Sequence, residues 1–421
     1  MRPPRRARAL LARFLPEKAL ALDVSVIFGG FGLQLLTQVG WLVLALRLLG
    51  PEGYGLFAAL TAITVAVGCF AGWGSDQLLI REVARDPAAM RHWVGHGLLS
   101  ILLTALPLGL ALFLLLPLVE AGHLGPAALA MVLLADLWLG RWANLAISVA
   151  MAAGQPGRQS AATVIPGALR LAAIILAGLL HAPLTMEAWA GWYLGASALS
   201  ALLCLGLVVR DHGWPRPAWI PGLWAEGLTF AAESALQASV KDLDKPIVLQ
   251  FLGPEAAGLY AAAFRVVDVV ALPIKALGYA LYARMFRLAA ESLEACRALA
   301  RRMAGLAAAL GAAGGAGLLL FAGLLPLVFG GAYAGLPFLV RLLAPLPPLL
   351  GAYVVGADLL SATGRQSHRL AVVVVSLALT LGLCWLATPL LGLEGAVLAR
   401  LLVQALCTAL VWALAARGVA R

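Results

Sequence analysis

Long, predominantly hydrophobic runs alternate with short polar connections along almost the whole chain. Residues 372–383 and 398–414 are examples, and neither run shows the regular apolar and polar alternation of a membrane β-strand. A membrane helix needs about 20 apolar residues, so the pattern predicts an all-α polytopic membrane protein. About twelve transmembrane helices are predicted, at residues 23–49, 55–79, 94–118, 127–151, 161–181, 187–209, 223–252, 258–283, 303–329, 334–360, 369–391 and 394–416.

The composition leaves little chain for a folded domain outside the bilayer. Of the 421 residues, 62% are hydrophobic and 12% are charged, whereas soluble domains have about 45–50% and about 25%. The mean hydropathy is +0.95. Because the predicted helices use most of the hydrophobic residues, a nucleotide-hydrolysing domain, a receptor ectodomain and a soluble enzyme on a membrane anchor are excluded.

The net charge of +10 is distributed unevenly over the connections between the predicted helices. Segments on one side, here called the basic face, carry arginines: Arg81, Arg85, Arg91, Arg158, Arg210, Arg216, Arg284, Arg287, Arg297, Arg301, Arg302, Arg365, Arg369, Arg417 and Arg421. Connections on the other side, the acidic face, carry Glu52, Glu120, Glu187, Glu255 and Glu394. Since basic residues concentrate on the cytoplasmic side of membrane proteins, both termini are predicted to be cytoplasmic, with residues 1–22 forming a basic tail.

The chain contains an internal duplication. Residues 46–60 reappear as residues 249–263 with nine identities in fifteen, and each copy contains the tetrapeptide Leu-Gly-Pro-Glu. Gly-Arg-Gln-Ser likewise occurs at 157–160 and again at 364–367. Because six helices separate the copies, the two repeats are predicted to be parallel, with a substrate cavity between them. We predict an N-lobe at residues 23–209, a cytoplasmic linker at 210–222 and a C-lobe at 223–421.

The two turn sequences at 49–57 and 252–264, together with Asp244-Lys245 and the loop at 363–365, resemble the polysaccharide and O-antigen flippases. That family belongs to the superfamily of multidrug and toxin extrusion antiporters and lipid II flippases. The resemblance implies a transporter, with no enzymatic activity, that moves an isoprenoid-diphosphate-linked oligosaccharide from the cytoplasmic to the outer leaflet by alternating access. It further implies a bacterial inner-membrane location and a role in cell-surface polysaccharide synthesis, with a glycan polymerase or assembly protein as a further partner.

Ionisable residues at membrane depth are costly and usually line a water-filled pathway or pair inside the bundle. An anionic diphosphate requires cations that are not already neutralised, so the candidate substrate-binding residues are Lys241, Lys245, Arg265, Lys275 and Arg170. The supporting polar stripe comprises Gln34, Gln38, Glu233, Gln237, Asp244 and Asp268. A structural alternative stays open: Lys241 with Asp244, and Lys245 with Asp242, are three residues apart and can neutralise each other. Arg47 lies near the acidic face, where extension of its side chain to the interface accounts for it.

Other polar residues suggest no separate chemistry. No cofactor, no metal site and no nucleic-acid partner are predicted. Membrane lipid is expected to surround the protein. Glu233, Asp136 and Asp268 are candidates for carrying a coupled proton or sodium ion, and Asn144 is a further polar residue of the fourth predicted helix. A cation-coupled multidrug antiporter of the same superfamily is the alternative function. A membrane-embedded glycan polymerase or ligase is disfavoured because the connections on the acidic face are short.

Overall fold

A computed structural model of the chain describes residues 18–119, 123–181, 183–220 and 222–416. The first 17 positions of the predicted basic tail, together with Glu120, Arg417 and Arg421, lie outside the described residues. Within those ranges the ordered elements are helices, and no strand occurs.

The helices are numbered in chain order. The first half contains α1 (Lys18–Gly68), α2 (Ser75–Arg85), α3 (Met90–Val119), α4 (Pro126–Ala152), α5 (Pro156–Leu180) and α6 (Met186–His212). The second half contains α7 (Trp224–Asp242), α8 (Asp244–Val270), α9 (Leu272–Glu291), α10 (Leu293–Phe321), α11 (Leu325–Phe329), α12 (Leu336–Leu342), α13 (Leu346–Ala362) and α14 (Gln366–Ala416). Short 3₁₀ turns occur at Pro87–Ala89, Ala322–Leu324 and Gly331–Tyr333.

The part of the chain that the structure describes agrees with the predicted count of about twelve membrane spans. In the described residues, eight helical stretches are long and apolar enough to cross a membrane. Three of them bend at a glycine with positive φ, namely Gly50, Gly253 and Gly392, so each supplies two spans. The pair α12 and α13, bent by 43°, supplies the remaining span. The first two bends occur within the duplicated Leu-Gly-Pro-Glu turns, where glycine adopts the left-handed conformation without a Cβ clash.

Two of the predicted spans were too long at their basic-face ends. The spans predicted at 55–79 and 258–283 end instead at Gly68 and Val270, and each is followed by a separate helix. These following helices, α2 and α9, start at Ser75 and Leu272. Buried leucines in α2 and α9 continue the hydrophobic pattern of the preceding span. The hydropathy of the sequence therefore does not reveal the break. Gly68 and Ala271 differ by 203 positions, the offset of the repeat, so the break belongs to both copies.

The two halves approach most closely where the duplicated turns meet at the acidic face. A methyl group on Gly55 would lie 2.0 Å from the carbonyl oxygen of Pro254, and one on Gly258 would lie 1.9 Å from that of Pro51. Real Cβ atoms do not approach oxygen so closely, so only glycine allows this backbone contact. We call the reciprocal contact of Gly55 and Gly258 the acidic-face seal.

At the basic face, the chain after α1 contacts the beginning of α7. The indole Nε1 of Trp73 donates a 2.9 Å hydrogen bond to the carbonyl of Trp224. Arg81 of α2 forms a 2.8 Å ion pair with Glu226 and also hydrogen-bonds Glu82, and these bonds raise the pKa of the Arg81 guanidinium above its usual range. These contacts involve exposed or half-buried side chains, so they contribute little to stability.

Arg47 connects the two halves at the acidic face. Its guanidinium donates hydrogen bonds of 2.5 Å and 2.7 Å to the carbonyl oxygens of Val328 and Leu327, at the C-terminal end of α11. A cation at this position satisfies carbonyls that lack partners in the helix and complements the helix dipole. The Arg47 side chain, which was predicted from the sequence to extend to the interface, therefore binds the backbone of the other half there.

We expect Arg47→Gln to loosen the acidic face. Loss of charged hydrogen bonds at an exposed position costs about 1 kcal/mol, which shifts the population of the closed state roughly five-fold. The measurement is the labelling rate of Ala58→Cys, a cavity position, by an impermeant thiol reagent added at the acidic face of a cysteine-free background. Arg341→Gln is the matched control because Arg341 is exposed and forms no ion pair in the described residues. Equal labelling rates in both variants would contradict the expectation.

Candidate functional site

A cavity of about 450 Å³ lies mainly within the first half of the chain. Both spans of α1 contribute to its wall together with α4, α5 and α6, and the second half contributes Asp242 and Arg265. Its size is within the usual range for small-molecule sites. The cavity therefore lies on the boundary between the halves but is built largely by one of them.

The depth of the cavity follows from helix geometry. Phe57 lies seven residues beyond the Gly50 bend and Tyr193 seven residues into α6, so both lie about 10 Å from the acidic-face ends of their helices. Asn144 lies about 27 Å from the start of α4 by the same rise. The lining also includes Gly68, where α1 ends at the basic face. The cavity thus extends to the basic face and is closed above by the acidic-face seal.

Next to the cavity, α7, α8, α9 and α14 bring together a set of charges that we call the charged cluster. Its members are Lys241, Asp242, Asp244, Lys245, Arg265, Asp268, Lys275 and Arg400. Five cations face three carboxylates, so the charged cluster has a formal net charge of +2. The charged cluster therefore places an excess of positive charge beside the cavity.

Asp268 is the centre of one part of the charged cluster. Lys241, Arg265 and Lys275 approach its carboxylate at 3.7 Å, 3.6 Å and 3.3 Å. Arg265 also lines the cavity and interacts electrostatically with Tyr54 of the first half. Lys275 has no acidic neighbour within four residues in the sequence, and its partner lies seven residues away across the break at Ala271. One carboxylate shared by three cations leaves the group short of negative charge.

Lys245 is the centre of the other part. It pairs with Asp242 and approaches Asp244 at 3.8 Å, and only 2% of its side chain is exposed. Asp244 accepts a 2.9 Å hydrogen bond from the hydroxyl of Tyr260 and lies 4.0 Å from Arg400. The pairing of Lys245 with Asp242 is the structural alternative considered from the sequence, whereas Lys241 pairs with Asp268 and not with Asp244.

Arg170 is the predicted cation on the opposite wall of the cavity. It donates a 3.2 Å hydrogen bond to the hydroxyl of Tyr193, and its guanidinium lies 4.9 Å from the Tyr193 ring centre and 5.6 Å from that of Trp41. No carboxylate lies within 4 Å of it among the described residues. Its charge is therefore balanced by aromatic faces and by Asp136 beyond Tyr193.

Asp136 lies on a π-helical turn of α4, Ala135–Leu139, which directs it into the cavity. Its carboxylate accepts hydrogen bonds from the hydroxyl of Thr64 and, at 2.5 Å, from that of Tyr193. Asp136 was singled out from the sequence only as a candidate ion carrier. The aromatic residues around it, Trp41, Phe57 and Tyr193, were missed because aromatic side chains are common in any membrane helix.

The predicted polar stripe is divided by the structure. Gln34 and Gln38 line the cavity. Glu233 and Gln237 lie outside the cavity lining and hydrogen-bond each other at 3.4 Å, while Asp244 and Asp268 belong to the charged cluster. Of the five predicted cations, Arg265 and Arg170 line the cavity, whereas Lys241, Lys245 and Lys275 are not part of that lining.

The uncharged polar residues of the cavity lining fall into two groups. Thr61, Thr163 and Ser200 hydrogen-bond carbonyls of their own helices at 2.7 Å, 2.8 Å and 2.7 Å. Four others make no side-chain hydrogen bond to any described residue: Gln34, Gln38, Asn144 and Ser197. Within the described ranges, no three side chains that could ligate a metal come together.

Comparison with known proteins gives consistent results. A family model described as polysaccharide biosynthesis protein matches residues 20–288. No curated protein sequence matches the chain. An inward-facing structure of a multidrug resistance MATE family transporter of the MOP superfamily is similar, with a TM-score of 0.78 at 15% identity over 91% of this chain and 93% of that chain.

Two other solved structures are similar over 94% of both chains. An outward-facing MATE family transporter has a TM-score of 0.60 at 18% identity. A MOP superfamily transporter from Pyrococcus furiosus, whose title reports a binding pocket of reverse polarity, has a TM-score of 0.61 at 17% identity. The chain therefore has the fold of these transporters.

Proposed function

The chain belongs to the polysaccharide biosynthesis protein family, and from that premise we propose that it is a flippase for an isoprenoid-diphosphate-linked oligosaccharide. The proposed substrate enters the cavity from the leaflet at the basic face and leaves at the acidic face after the acidic-face seal opens. The basic face is taken as cytoplasmic because of its arginines. The bacterial inner membrane and cytoplasmic termini follow as parts of the same proposal.

The charge beside the cavity is the observation that carries the proposal. Arg265 and Arg170 border the same cavity from different halves. Arg265 belongs to the charged cluster of net charge +2, and Arg170 has no carboxylate partner in the described region. A diphosphate supplies about two negative charges, which matches this excess. Carrying two negative charges outward across an inside-negative membrane is favoured by about 4.6 kcal/mol per 100 mV. The membrane potential is therefore the proposed driving force.

A second candidate function, cation-coupled multidrug antiport, has one observation in its favour. Asp136 presents a carboxylate to the cavity, held by Thr64 and Tyr193. A lipophilic cation could bind this carboxylate among Trp41, Phe57 and Tyr193, whose ring faces attract cations. The two candidates therefore assign the binding energy to residues of opposite charge in one cavity.

Binding of two small probes to the purified full-length chain separates the candidates. Farnesyl diphosphate represents the anionic lipid head, and tetraphenylphosphonium represents a lipophilic cation. If the flippase proposal holds, the chain binds farnesyl diphosphate, and Arg170→Gln and Arg265→Gln each weaken that binding about ten-fold or more, as loss of a charged hydrogen bond predicts. Arg341→Gln is the control. Binding of tetraphenylphosphonium alone, abolished by Asp136→Asn, would overturn the proposal in favour of antiport.

A further inference from the structure

The wall of the cavity formed by the first half has a chemistry different from that of the charged cluster. Gln34 and Gln38 of α1, Asn144 of α4 and Ser197 of α6 line the cavity and have no side-chain hydrogen bond within the described residues. We call these four residues the neutral wall. The neutral wall comprises three amides and one hydroxyl, and none of its members is charged.

The amides of the neutral wall are open to the cavity, since Gln38 and Asn144 are exposed and Gln34 is half-buried. A polar group placed in the membrane without a partner costs free energy, and hydroxyl groups in the same cavity avoid this cost by bonding to their own helix carbonyls, as Thr61 does at 2.7 Å. The amides of Gln34, Gln38 and Asn144 are not satisfied in this way. They therefore remain available, through two donors and one acceptor each, to whatever fills the cavity.

The neutral wall is suited to an uncharged ligand with many hydroxyl groups. Amides both donate and accept hydrogen bonds, as a sugar hydroxyl does, whereas an acyl chain would leave them unpaired and a phosphate would use only their donors. Gln34 and Gln38 are one helical turn apart and present their amides side by side. Trp41 follows Gln38 by three residues on the same cavity-lining face and adds an aromatic surface for the apolar side of a sugar ring.

The two arginines of the cavity and the neutral wall lie at different depths along the membrane normal, and this difference sets the orientation of a ligand that contacts both. Arg170 lies ten residues before the end of α5 and Arg265 lies twelve beyond the Gly253 bend, so both are about 15–18 Å from the acidic face. Gln34 and Asn144 lie about 24–27 Å from that face. The neutral wall thus extends from the level of the arginines towards the basic-face opening.

We infer that the neutral wall is a subsite for the first sugar rings of the substrate, distinct from the site of the diphosphate at Arg170 and Arg265. This inference rests on the proposed function. The diphosphate lies between the arginines, and the glycan extends along Gln34, Gln38 and Asn144 towards the wider, aqueous end of the cavity. Sugar recognition therefore belongs to the first half of the chain, and most of the positive charge to the second.

The test compares lipid diphosphates with and without a sugar. The probes are farnesyl diphosphate and farnesyl-diphosphate esters of N-acetylglucosamine and of galactose, and the protein is the full-length chain in detergent. We expect at least one sugar-bearing probe to bind at least ten-fold more tightly than farnesyl diphosphate. The double variant Gln34→Leu/Asn144→Leu should lose that ten-fold gain and keep its affinity for farnesyl diphosphate within two-fold, which also shows that the variant is folded.

Gln77→Leu is the matched control because Gln77 is an exposed glutamine on α2 outside the cavity. It should leave all affinities unchanged. The inference is overturned, and the proposed function retained, if sugar-bearing probes bind no better than farnesyl diphosphate or if the double variant weakens every probe equally. If the wild-type chain binds none of the probes, the proposed function itself fails and the inference fails with it.

Discussion

Gly258→Ala is expected to reduce transport at least 100-fold while leaving the protein inserted and folded. The added methyl group would lie 1.9 Å from the carbonyl oxygen of Pro51 and 2.6 Å from its carbonyl carbon. Because these are backbone atoms, no side-chain rotation can relieve the clash, and the two halves must separate at the acidic-face seal. The chain would then be held with its acidic face open, unable to accept substrate from the basic face.

Two readouts test this expectation. Transport is measured in proteoliposomes with a fluorescent isoprenoid-diphosphate sugar, and closure is measured by thiol labelling of Ala58→Cys from the acidic face. Gly317→Ala is the matched control because, apart from the backbone of its own helix and its chain neighbours, no atom lies within 4 Å of the position that its methyl group would occupy. Alanine favours helix by about 1 kcal/mol over glycine, so the control should be neutral or stabilising. Wild-type transport by Gly258→Ala would show that the seal does not close in the cycle.

Lys245→Met is expected to destabilise the folded protein by about 3–5 kcal/mol, the cost of removing one partner from a buried ion pair. Only 2% of the Lys245 side chain is exposed, and it pairs with Asp242 and approaches Asp244. Methionine would leave these carboxylates without their nearest cation. Addition of Asp242→Asn to the variant should recover part of the lost stability, because one of the uncompensated charges is then removed.

Thermal unfolding in detergent measures the effect, with Lys241→Met as the control. Half of the Lys241 side chain is exposed, and its distance to Asp268 is 3.7 Å, so its loss should cost at most about 1 kcal/mol. A Lys245→Met protein with wild-type unfolding temperature but no binding of farnesyl diphosphate would contradict the structural role and assign Lys245 to substrate binding.

The helical architecture could be read from the sequence because each span is a separate hydrophobic run and the duplicated turn fixes the register of the two halves. Glycine bends at Gly50 and Gly253 occur where the Leu-Gly-Pro-Glu turns predicted them. The ends of the spans at Gly68 and Val270 were not predictable in the same way. Leu78 and Leu79, which are buried against the protein and not in lipid, extend the apolar pattern beyond the break, and hydropathy does not distinguish these surroundings.

The site was harder to predict because its residues come together from distant parts of the chain. Sequence spacing identifies partners one turn apart, such as Lys245 and Asp242, but it does not reveal that Asp268 is shared by Lys241 and Lys275. Gln34 and Gln38 are recognisable from the sequence because, at the offset of 203 between the repeats, they match the polar residues Gln237 and Lys241. Ser197 was missed, since a serine in a membrane helix usually bonds to its own backbone.

The reciprocal contact of the two turns has a consequence for the origin of the molecule. Two parallel repeats related by an axis along the membrane normal occupy the same arrangement as the subunits of a two-fold homodimer, in which one patch meets its own copy. In a half-length ancestor pairing in this manner, a single glycine codon would have supplied both sides of the interface. After fusion, positions 55 and 258 could mutate independently. Each still contacts the backbone of the other repeat, so this contact limits which residues either position can accept.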